Sequence, residues 1–177
     1  KINFAKLPPQ ESDKIFNDGS GAAVIYGSSG GVMESALRSA YALACQDEKA
    51  KFCRARIDFK EVRGLEDFRE ATVDIAGFKL KVAVVNGIGA IAKAWPRLKQ
   101  YHYIEVMACP GGCIGGGGQP IPTTAEIRQK RIKALYEIDK FKKIRQAHKN
   151  QEVLTVLDWL KVNKLASKVL HTKYKKR

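Results

Sequence analysis

The chain has 177 residues, of which 45% are apolar, and its formal net charge is +14 at pH 7. The apolar fraction excludes a disordered chain, and the length suits one domain or part of a larger one. No apolar run approaches the roughly 20 residues that a membrane-spanning helix needs. The N-terminus lacks the apolar core of a secretory signal and begins with Lys1, which indicates a processed chain, a fragment, or numbering that starts within a longer polypeptide. We expect no membrane association and a cytoplasmic location, or an organellar one if a transit peptide was removed.

The positive charge has three interpretations. The simplest is a solvated basic surface. Nucleic-acid binding would need a basic patch with an aromatic platform or a reading helix, and neither is visible, so no nucleic-acid partner is expected. The third is docking of an acidic protein, because opposite potentials speed the encounter. Much of the charge lies between Arg128 and Arg177, which indicates a local patch rather than a uniform coat.

The first regular elements are predicted around a glycine-rich turn. Residues 22–26 (AAVIY) form a short apolar run of the length of a buried strand. A tight turn at 27–31 follows, and residues 32–44 show helical spacing of apolar positions, with Ser28 or Ser29 as the candidate cap.

In the middle of the chain the sequence predicts several strands separated by glycines. Alternation of apolar and polar residues predicts half-exposed strands at 57–62 and 71–75, and a longer strand at 78–86 that becomes wholly apolar. A helix is predicted at about 90–99. Residues 103–107 (YIEVM) form a further buried strand, which leads directly into a loop with two cysteines.

The sequence pattern changes after Pro122, from predicted strands to basic amphipathic helices. Thr123 stands three residues ahead of Glu126, as in a capping box, and basic amphipathic helices are predicted at 126–139 and 152–163. The fold class is therefore α/β, with a mainly parallel sheet flanked by helices. We expect an α/β lobe over residues 1–125 and a basic helical tail over 126–177 that packs on the same domain.

The four cysteines fall into two pairs, Cys45 with Cys53 and Cys109 with Cys113. Disulfides would need an oxidising compartment, which no secretion signal supports. The second pair is embedded in glycine, the setting of a metal loop. Two thiolates four positions apart can reach one cluster if the backbone between them curls tightly, which Gly111 and Gly112 permit. The amides of residues 115–118 could donate hydrogen bonds to cluster sulfurs.

A flexible glycine loop and a structural zinc site fit the cysteine loop less well. Flexibility alone would not explain why a buried strand runs straight into the loop. Structural zinc needs four ligands, and His102 is the only other ligand nearby. A four-iron cluster also takes four thiolates. Cys45 and Cys53 could complete the count, but the first ends an apolar helix and the second lies in a charged loop. We interpret them as a buried structural thiol and a surface cysteine, so the missing ligands lie on another chain or segment.

The loop 105–120, EVMACPGGCIGGGGQP, resembles the third signature of the iron-only (di-iron) hydrogenases at every defining position. Residues 21–38 resemble the family's strand–turn–helix segment beside the active site. Residues 82–87 and 129–136, and the chain ending near His171 and Tyr174, also match, so that the resemblance covers nearly the whole chain in the family's order. It implies one lobe, the C-terminal half, of the two-lobed catalytic domain.

The resemblance also implies roles for single residues. Cys109 and Cys113 would bind a four-iron (4Fe-4S) cluster, and Cys113 would bridge it to a two-iron unit that carries carbon monoxide, cyanide and a dithiolate, the whole being the H-cluster. Met107 would pack beside the two-iron unit and, with Cys113, belong to the catalytic centre. The predicted cofactor-binding residues are Tyr26, Gly27, Ser28, Met107, Gly112, Gly116 and Gln119.

Two departures limit what the resemblance implies. Tyr26 replaces the usual phenylalanine, and its hydroxyl needs a partner or a polar crevice. The two upstream signatures, with the other two cluster cysteines, the proton-relay cysteine and a cyanide-contacting lysine, do not occur in this sequence. Glu34 and Glu105 are expected to form ion pairs or caps rather than to relay protons. Activity is therefore expected only with the complementary half of the domain.

The function implied is reversible reduction of protons to dihydrogen, with an acidic ferredoxin as the electron partner. Three alternatives remain. A non-catalytic relative in cytosolic iron–sulfur assembly keeps cluster cysteines without the two-iron unit, and a hydrogen sensor keeps the whole cluster. A nucleotide-binding protein would use residues 27–31, which have neither a P-loop lysine nor the Rossmann glycine spacing.

Overall fold

The computed structural model describes residues 2–11, 13, 16, 19–46 and 56–175. The described residues form six α-helices and three strands, besides short 3-10 turns. The helices are α1 (Gly21–Ile25), α2 (Gly31–Ala44), α3 (Ile91–Ala94), α4 (Ala125–Phe141), α5 (Gln151–Val162) and α6 (Ala166–Leu170). The strands are β1 (Phe68–Ile75), β2 (Phe78–Asn86) and β3 (Tyr103–Met107).

The three strands form one mixed sheet in the order β1-β2-β3. Strands β1 and β2 are antiparallel, joined by a two-residue turn in which Ala76 and Gly77 both have positive φ, 53° and 90°. Strand β3 pairs parallel to β2 after a helical crossover. The α/β class with flanking helices is confirmed. The sheet is mixed rather than mainly parallel, because the tight turn after Ile75 permits only an antiparallel return.

The central strand β2 divides the interior into two layers. Val82 and Val84 pack with Met33 and Leu37 of α2 in one apolar cluster. Val85 points to the opposite face and packs with Ala94 of α3 in another. Because side chains alternate along a strand, the wholly apolar end of β2 is what a strand covered on both faces requires.

Several predicted elements are confirmed. The strand at 78–86 and the strand at 103–107 have the predicted bounds, and the strand predicted at 71–75 lies within β1. The helix predicted at 32–44 is α2, which begins one residue earlier. The basic helices predicted in the tail are α4 and α5.

Two predicted strands are wrong. Residues 22–26 lie in helix α1, where the Ser20 hydroxyl caps the start by accepting from the Ala23 amide at 3.2 Å. A five-residue apolar run suits a buried helix as well as a strand. Residues 57–62 contain a 3-10 turn instead. Phe59 and Val62, three positions apart, are both buried against α2, a spacing that a 3-10 turn places on one side.

Two helix boundaries also differ from the predictions. The helix expected at 90–99 is the single turn α3 followed by a 3-10 helix from Trp95 to Gln100, because Pro96 lacks the amide that an α-helix would use. The cap of α4 is Thr124 rather than Thr123. Its hydroxyl accepts from the Ile127 amide at 3.3 Å, so the capping register is shifted by one residue.

A fully buried ion-pair network joins α2 to α4. The Arg38 guanidinium donates to both carboxylate oxygens of Asp139, each at 2.8 Å, and to Glu34 Oε1 at 2.8 Å. All three side chains are 0% exposed. Arg145 also donates to Asp139, at 2.6 Å from Nη2. Glu34, expected to form an ion pair or a cap, is confirmed as an ion-pair partner of Arg38 and Arg63.

The network controls the protonation of Asp139. Burial alone would raise its pKa, but hydrogen bonds from Arg38 and Arg145 outweigh burial and hold the pKa below its usual range. The carboxylate therefore stabilises the fold fully above about pH 3.9, the unfolded value. That stabilisation is lost as the pH falls through the lower folded value.

No helix among residues 2–11, 13, 16, 19–46 and 56–175 is long and apolar enough to cross a membrane.

We predict that Asp139→Asn lowers the free energy of unfolding by about 3–5 kcal/mol, because it leaves the Arg38 guanidinium buried without its main counter-charge. Urea unfolding of the full chain between pH 3 and pH 7 measures both the loss and its pH dependence. The variant should show a shallower decline of stability toward acid than the wild-type chain.

The matched control is Asp158→Asn. Asp158 is 73% exposed and faces Lys161 at 3.6 Å on the surface of α5, so its loss should change the free energy of unfolding by less than about 0.5 kcal/mol. Equal losses for the two substitutions would contradict a stabilising role of the buried network.

Candidate functional site

The cysteine loop begins where β3 ends. The register of the two parallel strands continues past Met107, because the amides of Gly87 and Ile88 donate to the carbonyls of Met107 and Ala108 at 2.9 and 3.0 Å. The chain then reverses at Cys109, whose carbonyl accepts from Gly112 N at 3.0 Å. The sheet thus delivers the first cysteine at a fixed point beside the C-terminal end of β2.

Both cysteines of the loop are free thiols. Cys109 is half-buried and Cys113 is exposed, at the start of a 3-10 turn that ends at Gly115. A Cβ added at Gly116 would lie 3.3 Å from the Cys109 sulfur, so the backbone runs close beside that thiol. The loop therefore carries two thiols on one tight turn, of which Cys109 is half-buried and Cys113 is exposed.

Two thiols supply half of the ligands that a four-iron cluster takes. Within the described part of the chain, no group of three or more His, Cys, Asp or Glu side chains could hold a metal ion. Cys45, expected to be a buried thiol, is instead half-buried and disulfide-bonded, and Cys53 lies outside the described residues. His102 precedes β3, roughly 16 Å of strand from the loop, and its Nδ1 accepts from Lys81 N at 2.9 Å.

Two backbone hydrogen bonds fasten the loop to the turn between α1 and α2. The Ser29 amide donates to the Gly111 carbonyl at 3.0 Å, and the Ile114 amide donates to the Gly27 carbonyl at 3.1 Å. Gly112 lies between these bonds with φ +87°, and a Cβ there would stand 2.8 Å from Gly27 O and 2.9 Å from Ser29 N. The close approach requires glycine at this position.

The Glu105 carboxylate caps helix α2 from the neighbouring strand. Its two oxygens accept from the amides of Gly30 and Met33, both at 2.6 Å, and the residue is 6% exposed. Burial raises the pKa of Glu105, against the lowering effect of those two amides. The expected cap role of Glu105 is confirmed, whereas a cap by Ser28 or Ser29 is wrong, since Gly30 is the N-cap and makes no side-chain bond.

The two serines have other partners. The Ser28 hydroxyl is fully buried and donates to the Ile25 carbonyl at 2.9 Å. The Ser29 hydroxyl accepts from Arg69 Nη2 at 3.0 Å. Both side chains therefore hold the turn itself.

Asn86 is a site residue that was not predicted from the sequence. It ends β2, is 5% exposed, and its Oδ1 accepts from the Gly111 amide while its Nδ2 donates to the Leu65 carbonyl at 2.6 Å. The sequence did offer a signal for this residue. Asn86 is a polar residue at the end of an apolar strand, and that strand pairs with the one that leads into the cysteine loop. Its amide group ties the loop to the sheet.

Tyr26 and Met107 border the loop from different elements. Tyr26 is 40% exposed at the end of α1, and its hydroxyl lies 3.2 Å from Ser35 Oγ, which supplies the partner that a tyrosine needs there. Met107 is half-buried at the end of β3, opposite Asn86 in the parallel register. The assignment of both to a cofactor pocket stays a prediction.

The remaining predicted residues lie on the glycine run. The amides of Gly115 and Gly116 donate inside the loop, to Gly112 O at 3.0 Å and Cys113 O at 3.1 Å. The Gln119 side chain is half-buried, and its backbone amide donates weakly to Gly116 O at 3.4 Å. Two of the four amides expected to face a cluster are therefore used to shape the loop.

Two family models match the chain. Residues 1–117 match the model described as "Iron only hydrogenase large subunit, C-terminal domain". Residues 125–177 match the model described as "Iron hydrogenase small subunit". Both cysteines of the loop lie in the first match, and α4 to α6 lie in the second.

Similar proteins of known name and structure agree with these matches. The chain is 41% identical over 188 residues to "Iron hydrogenase 1" of Clostridium pasteurianum, with 99% of this chain and 32% of that protein covered. A single-residue variant of the [FeFe]-hydrogenase HydA1 from Chlamydomonas reinhardtii superposes with a TM-score of 0.64 at 33% identity, covering 98% of this chain and 51% of that one. The chain thus spans about a third of that curated relative and half of that solved structure.

A second group of relatives carries a different name. The chain is 34% identical over 158 residues to "Cytosolic iron-sulfur assembly component 3" of Pongo abelii, with 84% of this chain and 31% of that protein covered.

We predict that Gly112→Ala lowers the free energy of unfolding by about 1–3 kcal/mol, because the new Cβ would meet the backbone of the α1–α2 turn at a positive φ. Urea unfolding measures the loss. Amide exchange at Ser29 and Ile114, the donors of the two bonds that fasten the loop, should become faster.

Gly117→Ala is the matched control, since a Cβ at Gly117 would have nothing within 4 Å. Its free energy of unfolding should lie within about 0.5 kcal/mol of the wild-type value. If both substitutions left exchange at Ser29 and Ile114 unchanged, the loop would not depend on this close approach.

Proposed function

The chain belongs to the iron-only hydrogenase family, and from that premise we propose that it forms one wall of a hydrogenase active site. The observation that carries the proposal is the pair of free thiols, Cys109 and Cys113, on a glycine loop fixed by a neighbouring turn and strand. In this proposal Cys109 and Cys113 would be ligands of a four-iron cluster. Cys113, the exposed thiol, would also hold the two-iron unit of the H-cluster.

The two thiols of the loop are suitable ligands for one side of an iron–sulfur cluster. Thiolates are the ligands of iron–sulfur clusters, and the backbone at Gly116 leaves the Cys109 sulfur without a neighbouring side chain at that position. When bound, the H-cluster supplies the reversible combination of two protons and two electrons into dihydrogen. The chain's own residues hold the two thiols at a fixed separation, and the half-buried Met107 with the 40% exposed Tyr26 would limit the access of water.

The other two cluster thiolates must come from outside the described residues, and we propose that a complementary half of the domain brings them. An apolar cleft of about 560 Å³ beside Tyr26, lined also by Val153, Leu157 and Leu170, offers a surface for that half. Burying a cleft of this composition favours association. The chain on its own is then without hydrogenase activity.

The basic tail supports an acidic ferredoxin as electron partner. Half of the chain's 32 Lys and Arg residues lie between residues 128 and 177. The exposed lysines of this basic tail surface are Lys130, Lys133, Lys140, Lys143, Lys149, Lys161, Lys164, Lys168, Lys173 and Lys175. A positively charged surface attracts a negatively charged partner, and this attraction raises the association rate.

The second candidate function is cytosolic iron–sulfur assembly without the two-iron unit. The 34% identity to the Pongo abelii assembly component favours it. The complete glycine run from Gly116 to Gly118 with Gln119 and Pro120, together with Gly112, supports the hydrogenase reading instead. The higher identity to the clostridial hydrogenase, over nearly the whole chain, points the same way.

The complex of this chain with its complementary half, matured and purified without oxygen, should show infrared bands of metal-bound carbon monoxide and cyanide. Cys113→Ser should remove these bands and the hydrogen production, because the substitution takes away the proposed bridge. Gly117→Ala, at an open position of the same loop, should keep both. An iron–sulfur signal without carbonyl and cyanide bands would favour the assembly function.

Electron transfer from an acidic ferredoxin should slow several-fold between low and high salt. Salt screens the electrostatic attraction between the ferredoxin and the basic tail surface. Reversing two charges, Lys140→Glu with Lys143→Glu, should weaken that salt dependence. Lys79→Glu, an exposed position on β2 outside the tail, is the control. A rate that does not change with ionic strength would contradict the electrostatic docking of ferredoxin.

A further inference from the structure

The guanidinium of Arg131 in α4 bridges two carbonyls of the cysteine loop. Its Nη1 donates to the Ile114 carbonyl at 2.7 Å, and its Nη2 donates to the Pro120 carbonyl at 2.8 Å. Ile114 directly follows Cys113, and Pro120 ends the loop. One planar side chain therefore holds both ends of the segment between them, a geometry that the rigid fork of arginine suits.

The segment between those two carbonyls consists of the glycine run 115–118 and Gln119. Glycine loses more backbone freedom on folding than other residues, so four in succession are costly to order. A Cβ at Gly117 or Gly118 would have nothing within 4 Å, which shows how little the middle of the run is packed. The bonds from Arg131 therefore add to the backbone bonds of Gly115 and Gly116 in constraining its path.

A second arginine of α4 covers the base of the same loop. A Cβ at Gly111 would stand 2.8 Å from Arg128 Cδ, and a Cβ at Gly115 would stand 2.9 Å from the same atom. The stem of Arg128 thus lies against the two glycines on either side of Cys113. The loop is enclosed by the α1–α2 turn on one side and by α4 on another.

Helix α4 is itself fixed in place. Ile132 and Tyr136 pack with Ile25 of α1 and with Ile114 of the loop in one apolar cluster. The Arg38–Asp139 pair anchors the end of the same helix. Arg131 therefore reaches the loop from a rigid support, which is what precise positioning of a ligand loop requires.

We propose that Arg131 is a positioning residue of the proposed cluster site, and that the segment matching the small-subunit model shapes the cysteine loop of that site. The inference rests on the proposed function. The bond to Ile114 fixes the peptide between Ile114 and Gly115, one residue beyond Cys113. The guanidinium also places a permanent positive charge one residue from that thiol, which favours the reduced, more negative state of a bound cluster.

The first test uses the full chain without metal. In Arg131→Gln, amide exchange at Ile114, Gly115 and Gly116 should become about tenfold faster, since a lost hydrogen bond to a charged group costs that order of stability. Exchange in the β1–β2 hairpin should not change. Arg131→Lys keeps the charge but cannot bridge both carbonyls, so it should give an intermediate rate. Lys130→Gln, an exposed neighbour on the same helix, should match the wild type.

The second test measures the reduction potential of the four-iron cluster in the assembled, matured complex. Arg131→Gln should shift the potential to more negative values than Lys130→Gln does, and Arg131→Lys should largely restore it. A merely structural role would leave the potentials of the two glutamine variants equal.

The outcomes separate the inference from the function on which it rests. Loop exchange in Arg131→Gln and Arg131→Lys equal to that in Lys130→Gln would overturn the positioning role. A wild-type complex that binds no cluster would overturn the proposed function, while the exchange measurements would still decide whether Arg131 holds the loop.

Discussion

The buried guanidinium of Arg38 is the constraint from which the rest of the arrangement follows. It lies in α2, which directly follows the turn that is bonded to the cysteine loop, and it binds Asp139 in α4, whose side chains contact that loop. A charge removed from water is tolerated only when its partners are in place, so the network permits one relative position of the two helices. That position in turn sets the distance from Arg131 to the loop carbonyls.

The loop itself is held by residues distant from it in sequence. Glu105 joins β3 to the start of α2, Asn86 joins β2 to Gly111, and Arg131 joins α4 to the end of the loop. Each is a polar side chain bonded to backbone, and none of these bonds uses a thiol. The backbone path of the loop is therefore held by polar side chains from three other elements of the chain.

The sequence predicted the elements whose signals are local. The alternation in β2, the helical spacing of α2 and the glycine-flanked cysteines are each visible in a short window. The five-residue run in α1 was misread because periodicity cannot separate a short buried strand from a short buried helix. An ion-pair or cap role was predicted for Glu105, but not the helix that it caps, because Glu105 is 75 residues from Gly30 in the chain. No rule based on neighbouring residues could pair these two.

The asymmetry of the two thiols has a physical consequence. Gly111, Gly112 and Ile114 are buried against the chain's own turn and helix, whereas Cys113 between them is exposed. Because the buried neighbours fix the backbone, the thiol has little freedom left to lose when it binds a ligand. A pair of ligands ordered in advance lowers the cost of assembling a site from two parts. In the proposed function, the half that supplies the other two thiolates would then meet a rigid surface, and the selectivity of assembly would depend on how well that half fits this surface.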